Sequence, residues 1–345
     1  MERFIDLRSD TVTRPTAEMR KVMFEASVGD DVFGEDPTVN ALQEKAARLL
    51  GKEASIFVAS GTMANQLAIK AHTQPGDEVI IEAGSHAVNS EGGAGAVLSG
   101  VQFLALQGKR GIFDTAQVES AIRPDDIHNP VSRLVIIENT HNRGGGSVVP
   151  LKIIREIRDL ASKRGLLMHM DGARLWNACV AAGVSPEEYA APFDSISVCL
   201  SKGLGCPVGS LVVGSKDFIK RVRRFRKMVG GGMRQAGFLA AAGIYALDHH
   251  IDRMDEDHRK AKKLAQNLAG IKNLRVNPDE TETSRVFFDV SPAERTAQEI
   301  AAACREKGVL IHAPAKTRVR CVTHLDVSFD DVDRASQVLA KVLKG

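Results

Sequence analysis

Short segments of almost unbroken apolar character recur through the middle of this chain, at residues 55–58, 78–81, 134–137, 166–170, 195–200 and 210–213. A strand with one face in water alternates polar and apolar side chains, whereas a run without alternation is covered on both faces. Such strands require a mostly parallel sheet held between layers of helices. Helix-length amphipathic patterns separate them, as at 62–73 and 151–164. This β-α-β-α rhythm predicts a doubly wound α/β domain. After a long helical stretch at 234–268 with a polar middle, the rhythm changes. A strand at 285–290, a helix at 296–307, a strand at 318–322 and a helix at 329–343 read as a smaller α+β unit. The expected division is a large domain at 1–249 and a small one at 250–345.

Composition narrows the function. With 43% hydrophobic and 26% charged residues the chain is no disordered segment. Lys and Arg number 46 against 43 Asp and Glu, and aromatics make up 5%, so neither a basic nucleic-acid surface nor a base-stacking platform stands out. No apolar run approaches the roughly 20 residues of a membrane-crossing helix. The opening Met1-Glu2-Arg3-Phe4-Ile5-Asp6 lacks the apolar core of a secretory signal. Five cysteines, Cys179, Cys199, Cys206, Cys304 and Cys321, are odd in number and form no C-x-x-C pair. Structural zinc and a disulfide framework are therefore not expected, no metal site is proposed, and a cytoplasmic location fits.

In open α/β sheets ligands bind beyond the carboxyl ends of the strands, so the residues just after each strand carry the search. After 55–58 come Ser60, Gly61 and Thr62 at the start of a helix. Their backbone N–H groups and hydroxyls would make a phosphate cup, although Ser60 also reads as an ordinary helix cap. No G-x-x-x-x-G-K-[ST] or G-x-G-x-x-G fingerprint accompanies them, which speaks against a nucleotide. After 166–170 come Asp171-Gly172-Ala173-Arg174. Period-2 alternation puts His169 and Asp171 on one face, where the carboxylate could hold a protonated ring nitrogen and Arg174 an anion. After 195–200 comes Lys202, 31 residues beyond Asp171, the length of one helix and one strand. A lysine there could form a Schiff base. His86 follows the 78–81 strand and could lie over a planar cofactor or act as a base, and His128 sits in a polar loop. Each of these residues alone also has an ordinary structural reading. Their order, a phosphate cup, a ring-facing group, an acid for a ring nitrogen and a lysine, is what pyridoxal 5'-phosphate (PLP) asks of one sheet edge.

Longer motifs carry a resemblance. Asp6-Leu7-Arg8-Ser9-Asp10-Thr11-Val12-Thr13-Arg14-Pro15-Thr16, the 28–37 stretch beginning Val28-Gly29-Asp30-Asp31, Ser60-Gly61-Thr62-Met63-Ala64-Asn65-Gln66 and Glu138-Asn139-Thr140-His141-Asn142 resemble the threonine aldolases. His169-Met170-Asp171-Gly172-Ala173-Arg174, Ser201-Lys202-Gly203-Leu204, Gly230-Gly231-Gly232-Met233-Arg234-Gln235 and Val322-Thr323-His324 extend the match to essentially the whole chain. The resemblance implies a PLP-dependent enzyme of the aspartate-aminotransferase-like fold (fold type I), in which the N-terminal segment contacts substrate. Lys202 would carry PLP, Asp171 would bond its pyridine nitrogen, and Ser60, Gly61 and Thr62 would cradle the phosphate. Arg234 would reach a phosphate in a neighbouring subunit, and His86 would stack on the ring. Ser9, Arg174 and Arg320 would bind the substrate α-carboxylate, with His128 near the β-hydroxyl. His86, His128 or a water they hold would serve as base.

The implied reaction is retro-aldol cleavage of L-threonine or L-allo-threonine to glycine and acetaldehyde, by a homo-oligomer of at least two and commonly four chains. A β-eliminating PLP lyase of the same fold is the nearest alternative. Two positions depart from the family pattern: Phe33 stands where Tyr is frequent, and Ala87-Val88-Asn89-Ser90-Glu91 follows His86 where bulky aromatics are common.

Overall fold

The computed structural model describes residues 4–271, 274–291 and 295–344. Its strands in chain order are β1 (Ile5–Asp6), β2 (Ala54–Val58), β3 (Glu78–Glu82), β4 (Gln102–Leu106), β5 (Ser132–Glu138), β6 (Leu167–Gly172), β7 (Ser195–Cys199), β8 (Ser210–Gly214), β9 (Leu274–Arg275), β10 (Arg285–Val290), β11 (Val309–Leu310) and β12 (Arg318–Val322). Seven of them form one sheet in the order β2-β8-β7-β6-β5-β3-β4. The pairs β3–β4, β3–β5, β5–β6 and β6–β7 are parallel, and β8 runs antiparallel between β7 and β2. The amino end of β8 therefore lies at the same edge as the carboxyl ends of the rest. The apolar runs at 55–58, 78–81, 134–137, 166–170, 195–200 and 210–213 are the buried strands, five of them interior and β2 an edge strand covered by helices. β4 lacked such a signal because it is the half-exposed edge.

Helices cover both faces. Gly61–His72 packs one face with its apolar side and caps its start with Ser60, whose hydroxyl accepts from Met63 N–H at 3.1 Å. Leu151–Arg164 buries Ile154, Ile157 and Leu160 and stops at Gly165, whose φ of 67° only glycine adopts freely. The long helix expected at 234–268 is two helices, Gly237–His249 and Met254–Ala269. The break follows from His250, whose ring Nδ1 lies 2.7 Å from the Leu204 carbonyl and draws the chain toward the loop that carries Lys202.

A second core gathers Ala261, Leu264, Val286, Phe288, Val319 and Leu339 around the three-stranded sheet β12-β10-β9. Ile5 and Leu7, placed by the sequence reading in the large domain, are buried in this second core. β1 pairs in parallel with β11, and Val322 N–H donates to the Leu7 carbonyl at 2.8 Å. From there residues 8–13 return to the large sheet, where the Thr13 hydroxyl donates to the Lys202 carbonyl at 2.9 Å. The N-terminal segment thus joins the two lobes at the edge where the strand tips converge.

Candidate active site

A cavity of about 330 Å³ opens at that edge, lined among others by Ser9, Gly61, His86, Asp171, Lys202 and Arg320. Ser60, Thr62 and Arg174 also line it. Larger clefts exist elsewhere, but they hold neither Lys202 nor Asp171. The strand-end residues thus share this smaller cavity and not the larger clefts.

β6 aims its alternate side chains as expected. His169 and Asp171 face the Gly61–His72 helix, and Met168 and Met170 enter the core on the other side. His169 Nδ1 lies 2.7 Å from Ser195 Oγ, while Asp171 meets Asn65 Nδ2 at 2.8 Å and the Ala173 N–H at 3.1 Å. Asp171 is buried yet has no cationic partner among the described residues. A buried carboxylate in that condition calls for a positive group from the cavity. Lys202 stands after β7, the strand paired with β6, so the two side chains enter from adjacent tips. Among the described residues its Nζ has one hydrogen-bond partner, Cys199 Sγ at 3.0 Å, and no carboxylate.

At the amino end of Gly61–His72, the N–H groups of Gly61 and Thr62 have no partner among the described residues. A Cβ added to Gly61 would stand 2.7 Å from Cys199 Sγ and 3.8 Å from Lys202 Nζ. Only glycine leaves that floor open. Two free N–H groups, the positive helix end and the Thr62 hydroxyl suit a phosphate. With the unpaired Asp171 and the lysine, they fit PLP.

Arginines crowd the other end. Arg174 donates from Nε and Nη2 to the two carboxylate oxygens of Asp10 at 2.6 and 2.5 Å, and both residues are buried. Burial acts to raise the Asp10 pKa, but the Arg174 charge and bonds outweigh it and hold the carboxyl well below its usual range. Arg320 reaches Asn142 Oδ1 at 3.4 Å and the Arg8 carbonyl at 3.0 Å, and its Nε is buried without a partner. Arg285 is buried beside them with Nε and Nη2 unpartnered. Burial, and then the Arg174 charge, lowers the pKa of both Arg285 and Arg320. All three guanidinium groups feel the Asp10 charge, and Arg174 and Arg285 that of Glu138 as well, which leaves a surplus of positive charge for an anion from the cavity.

His86 enters from the turn after β3. Its backbone N–H donates to Glu138 Oε2 at 2.7 Å, and its Nδ1 lies 2.8 Å from the buried Glu91 Oε1. The Glu91 hydrogen bond raises the His86 pKa above its ordinary value, outweighing partial burial.

Two expected residues lie outside this cavity. His128 is in an exposed loop, where its backbone N–H donates to Asp126 Oδ1 at 2.8 Å. Arg234 is exposed and pairs with Asp30 Oδ2 at 2.8 Å, near the exposed Phe33. Sequence reasoning missed the partners: Asp10 behind Arg174, Glu91 behind His86, and Glu138 and Cys199 at strand ends. The strand-end rule could have found Glu138 and Cys199. Nothing in periodicity marks Glu91, which follows the short helix His86–Asn89.

Comparison with known proteins agrees with this geometry. Residues 6–291 match the family model described as Beta-eliminating lyase. The low specificity L-threonine aldolase of Escherichia coli K12 is 46% identical over 327 residues, covering 94% of this chain and 95% of that protein. The probable low-specificity L-threonine aldolase 2 of Arabidopsis thaliana is 41% identical over 345 residues, with 99% and 97% covered. The solved structure of Leishmania major threonine aldolase superposes with a TM-score of 0.84 at 19% identity, covering 98% of this chain and 99% of that one.

Proposed function

The chain belongs to the β-eliminating lyase family and groups there with the low-specificity L-threonine aldolases, and on that premise we propose which of its residues perform PLP-dependent retro-aldol cleavage of L-threonine and L-allo-threonine to glycine and acetaldehyde. The observation that carries the assignment of roles is the buried, cation-free Asp171 at the strand tip beside the one that precedes Lys202.

Bound PLP supplies an electron sink for the bond broken at Cα. Lys202 holds it covalently, with Nζ kept free of any carboxylate that would lock it as an ammonium pair. Of the residues lining the cavity, Asp171 would bond its ring nitrogen, Ser60, Gly61 and Thr62 would take its phosphate, and His86 would cover its ring. Arg320, Ser9 and Arg174 take the α-carboxylate. Because Asp10 occupies two donors of Arg174, the Nη1 group is what Arg174 offers, and Arg320 brings the less satisfied guanidinium. Holding the carboxylate there would orient the substrate so that Cα–Cβ is the bond that breaks, a positioning effect. A base takes the β-hydroxyl proton as that bond breaks.

The working unit is at least a dimer, and a tetramer suits it. Arg234 would reach a neighbour's phosphate, and Phe24, Phe33, Met228 and Phe238 are exposed apolar side chains a partner subunit could cover. Among the described residues no helix is long and apolar enough to cross a membrane. We place the protein in the cytoplasm on its buried free cysteines.

Lys202→Ala tests the assignment. Loss of the visible absorbance of lysine-bound cofactor and of nearly all glycine and acetaldehyde formation is expected. Retained colour and turnover refute it. Release of 2-oxobutyrate and ammonia from L-threonine, in place of glycine and acetaldehyde, would instead identify a β-eliminating lyase.

A further inference from the structure

Glu91 is a buried carboxylate that nothing in the reaction outlined above uses. Its side chain is fully buried, and each of its oxygens is occupied. Oε1 lies 2.8 Å from His86 Nδ1 and accepts from Asn65 Nδ2 at 2.9 Å, and Oε2 accepts from Gln66 Nε2 at 2.7 Å. The same Asn65 amide donates to Asp171 Oδ2 at 2.8 Å, and Asn65 Oδ1 accepts from Ser197 Oγ at 2.7 Å. One amide therefore ties two carboxylates together, one destined for the cofactor nitrogen and one behind the histidine. Asn65, Gln66, Glu91 and Asp171 are buried, so the links behind the half-exposed His86 ring are shielded from water.

These contacts decide how His86 is protonated. Asn65 and Gln66 donate to the two Glu91 oxygens, and Oε1 also faces His86 Nδ1 as an acceptor. An acceptor there takes a proton-bearing Nδ1, which fixes the tautomer and leaves the Nε2 lone pair as the free end. Nε2 has no partner among the described residues, and the ring lines the cavity. Glu91, Asp171 and Glu138 each favour the imidazolium, while the cations Lys202, Arg174 and Arg320 line the same cavity.

We propose that Glu91, fastened by Asn65 and Gln66, is a positioning residue that makes His86 the general base of the reaction; the proposal rests on the aldolase reading. The β-hydroxyl O–H bond breaks and its proton passes to His86 Nε2. The electron pair left on oxygen becomes the π bond of the departing aldehyde as Cα–Cβ breaks and its pair stays with Cα. Glu91 offsets the positive charge now on the ring, which later returns its proton to water. The arrangement has the logic of a carboxylate orienting an imidazole behind a reacting hydroxyl.

The test compares Glu91→Gln with the unmodified protein. In cofactor-free protein, diethyl pyrocarbonate labelling of His86, followed by peptide mass spectrometry across pH, reports the neutral fraction of that ring. Glu91→Gln should move the His86 midpoint to lower pH by about one unit, the scale of losing an adjacent opposite charge. In the loaded enzyme its kcat should fall by about 10- to 100-fold, with KM for threonine within about threefold and the acid limb of kcat/KM displaced to lower pH. An unshifted midpoint, or kcat within about threefold, overturns the proposal. Should the variant fail to fold, the unmodified protein still decides: a His86 midpoint at or below the ordinary imidazole value of about 6.5 overturns it. Absence of aldol cleavage in the loaded unmodified protein would end the aldolase reading, while the labelling arm would still report on the Glu91 contact.

Discussion

Asp10→Asn is the sharpest probe of how the N-terminal segment is held. The substitution preserves shape but places an amide against a guanidinium that now has two donors and no anion. The original contact is a two-point pair at 2.5 and 2.6 Å, with Asp10 1% and Arg174 9% exposed. Removing one partner of a buried pair costs about 3–5 kcal/mol, because the remaining charge stays buried without compensation. With an unfolding entropy of about 2.1 cal/mol/K per residue, a chain of 345 residues loses about 4–7 °C in Tm. Calorimetry supplies the measurement, and urea midpoints at unchanged slope provide a second reading. The sign with pH follows from the lowered Asp10 pKa. A group whose pKa is depressed on folding contributes its stability above the unfolded value, about 3.9, and loses it as pH falls through the folded one. The gap between variant and parent should therefore stay constant from about pH 8 to 5 and close only in stronger acid. A Tm loss under about 1 °C, or a gap that already shrinks between pH 8 and 6, would show that the pair does not carry this load.

Gly61→Ala should lower PLP affinity more than fold stability, since the new methyl would stand 2.7 Å from Cys199 Sγ at the floor of the cavity. An unchanged cofactor dissociation constant, measured by absorbance titration, refutes that. Arg320→Ala should raise KM for threonine more than about tenfold, the loss of a charge-assisted bond, and an unchanged KM would send the carboxylate elsewhere. Burial lowers His169 to about 4 and His72 to about 3, so both stay neutral in the fold where unfolded histidines gain protons. Unfolding in urea should therefore become easier as pH falls from about 6.5 toward 4, and a flat profile there refutes the linkage.

The interior strands were legible because two-sided burial leaves an unbroken apolar run, and the strand-end rule then pointed to Ser60, Asp171 and Lys202. β4 escaped because this edge strand is left half-exposed, unlike the buried edge strand β2, and so carries a weaker pattern. The break between the helices at Gly237–His249 and Met254–Ala269 escaped because its cause is His250 reaching Leu204, a contact between residues 46 positions apart. Glu91 and Asp10 escaped for the same kind of reason. Their partners, Asn65 and Arg174, stand 26 and 164 positions away, and local periodicity carries no information over such separations.

The path of residues 5–13 has a practical consequence for anyone who cuts this chain. Expressed alone, a fragment from residue 250 onward would arrive with open slots where Ile5 and Leu7 belong, and with β11 missing its neighbour. The complementary fragment would carry a sticky apolar tail with nowhere to dock. A split intended to yield two soluble halves should keep the first thirteen residues with the C-terminal piece through a new linker, so that the cut falls between Thr13 and Met19 and spares both ends of the thread.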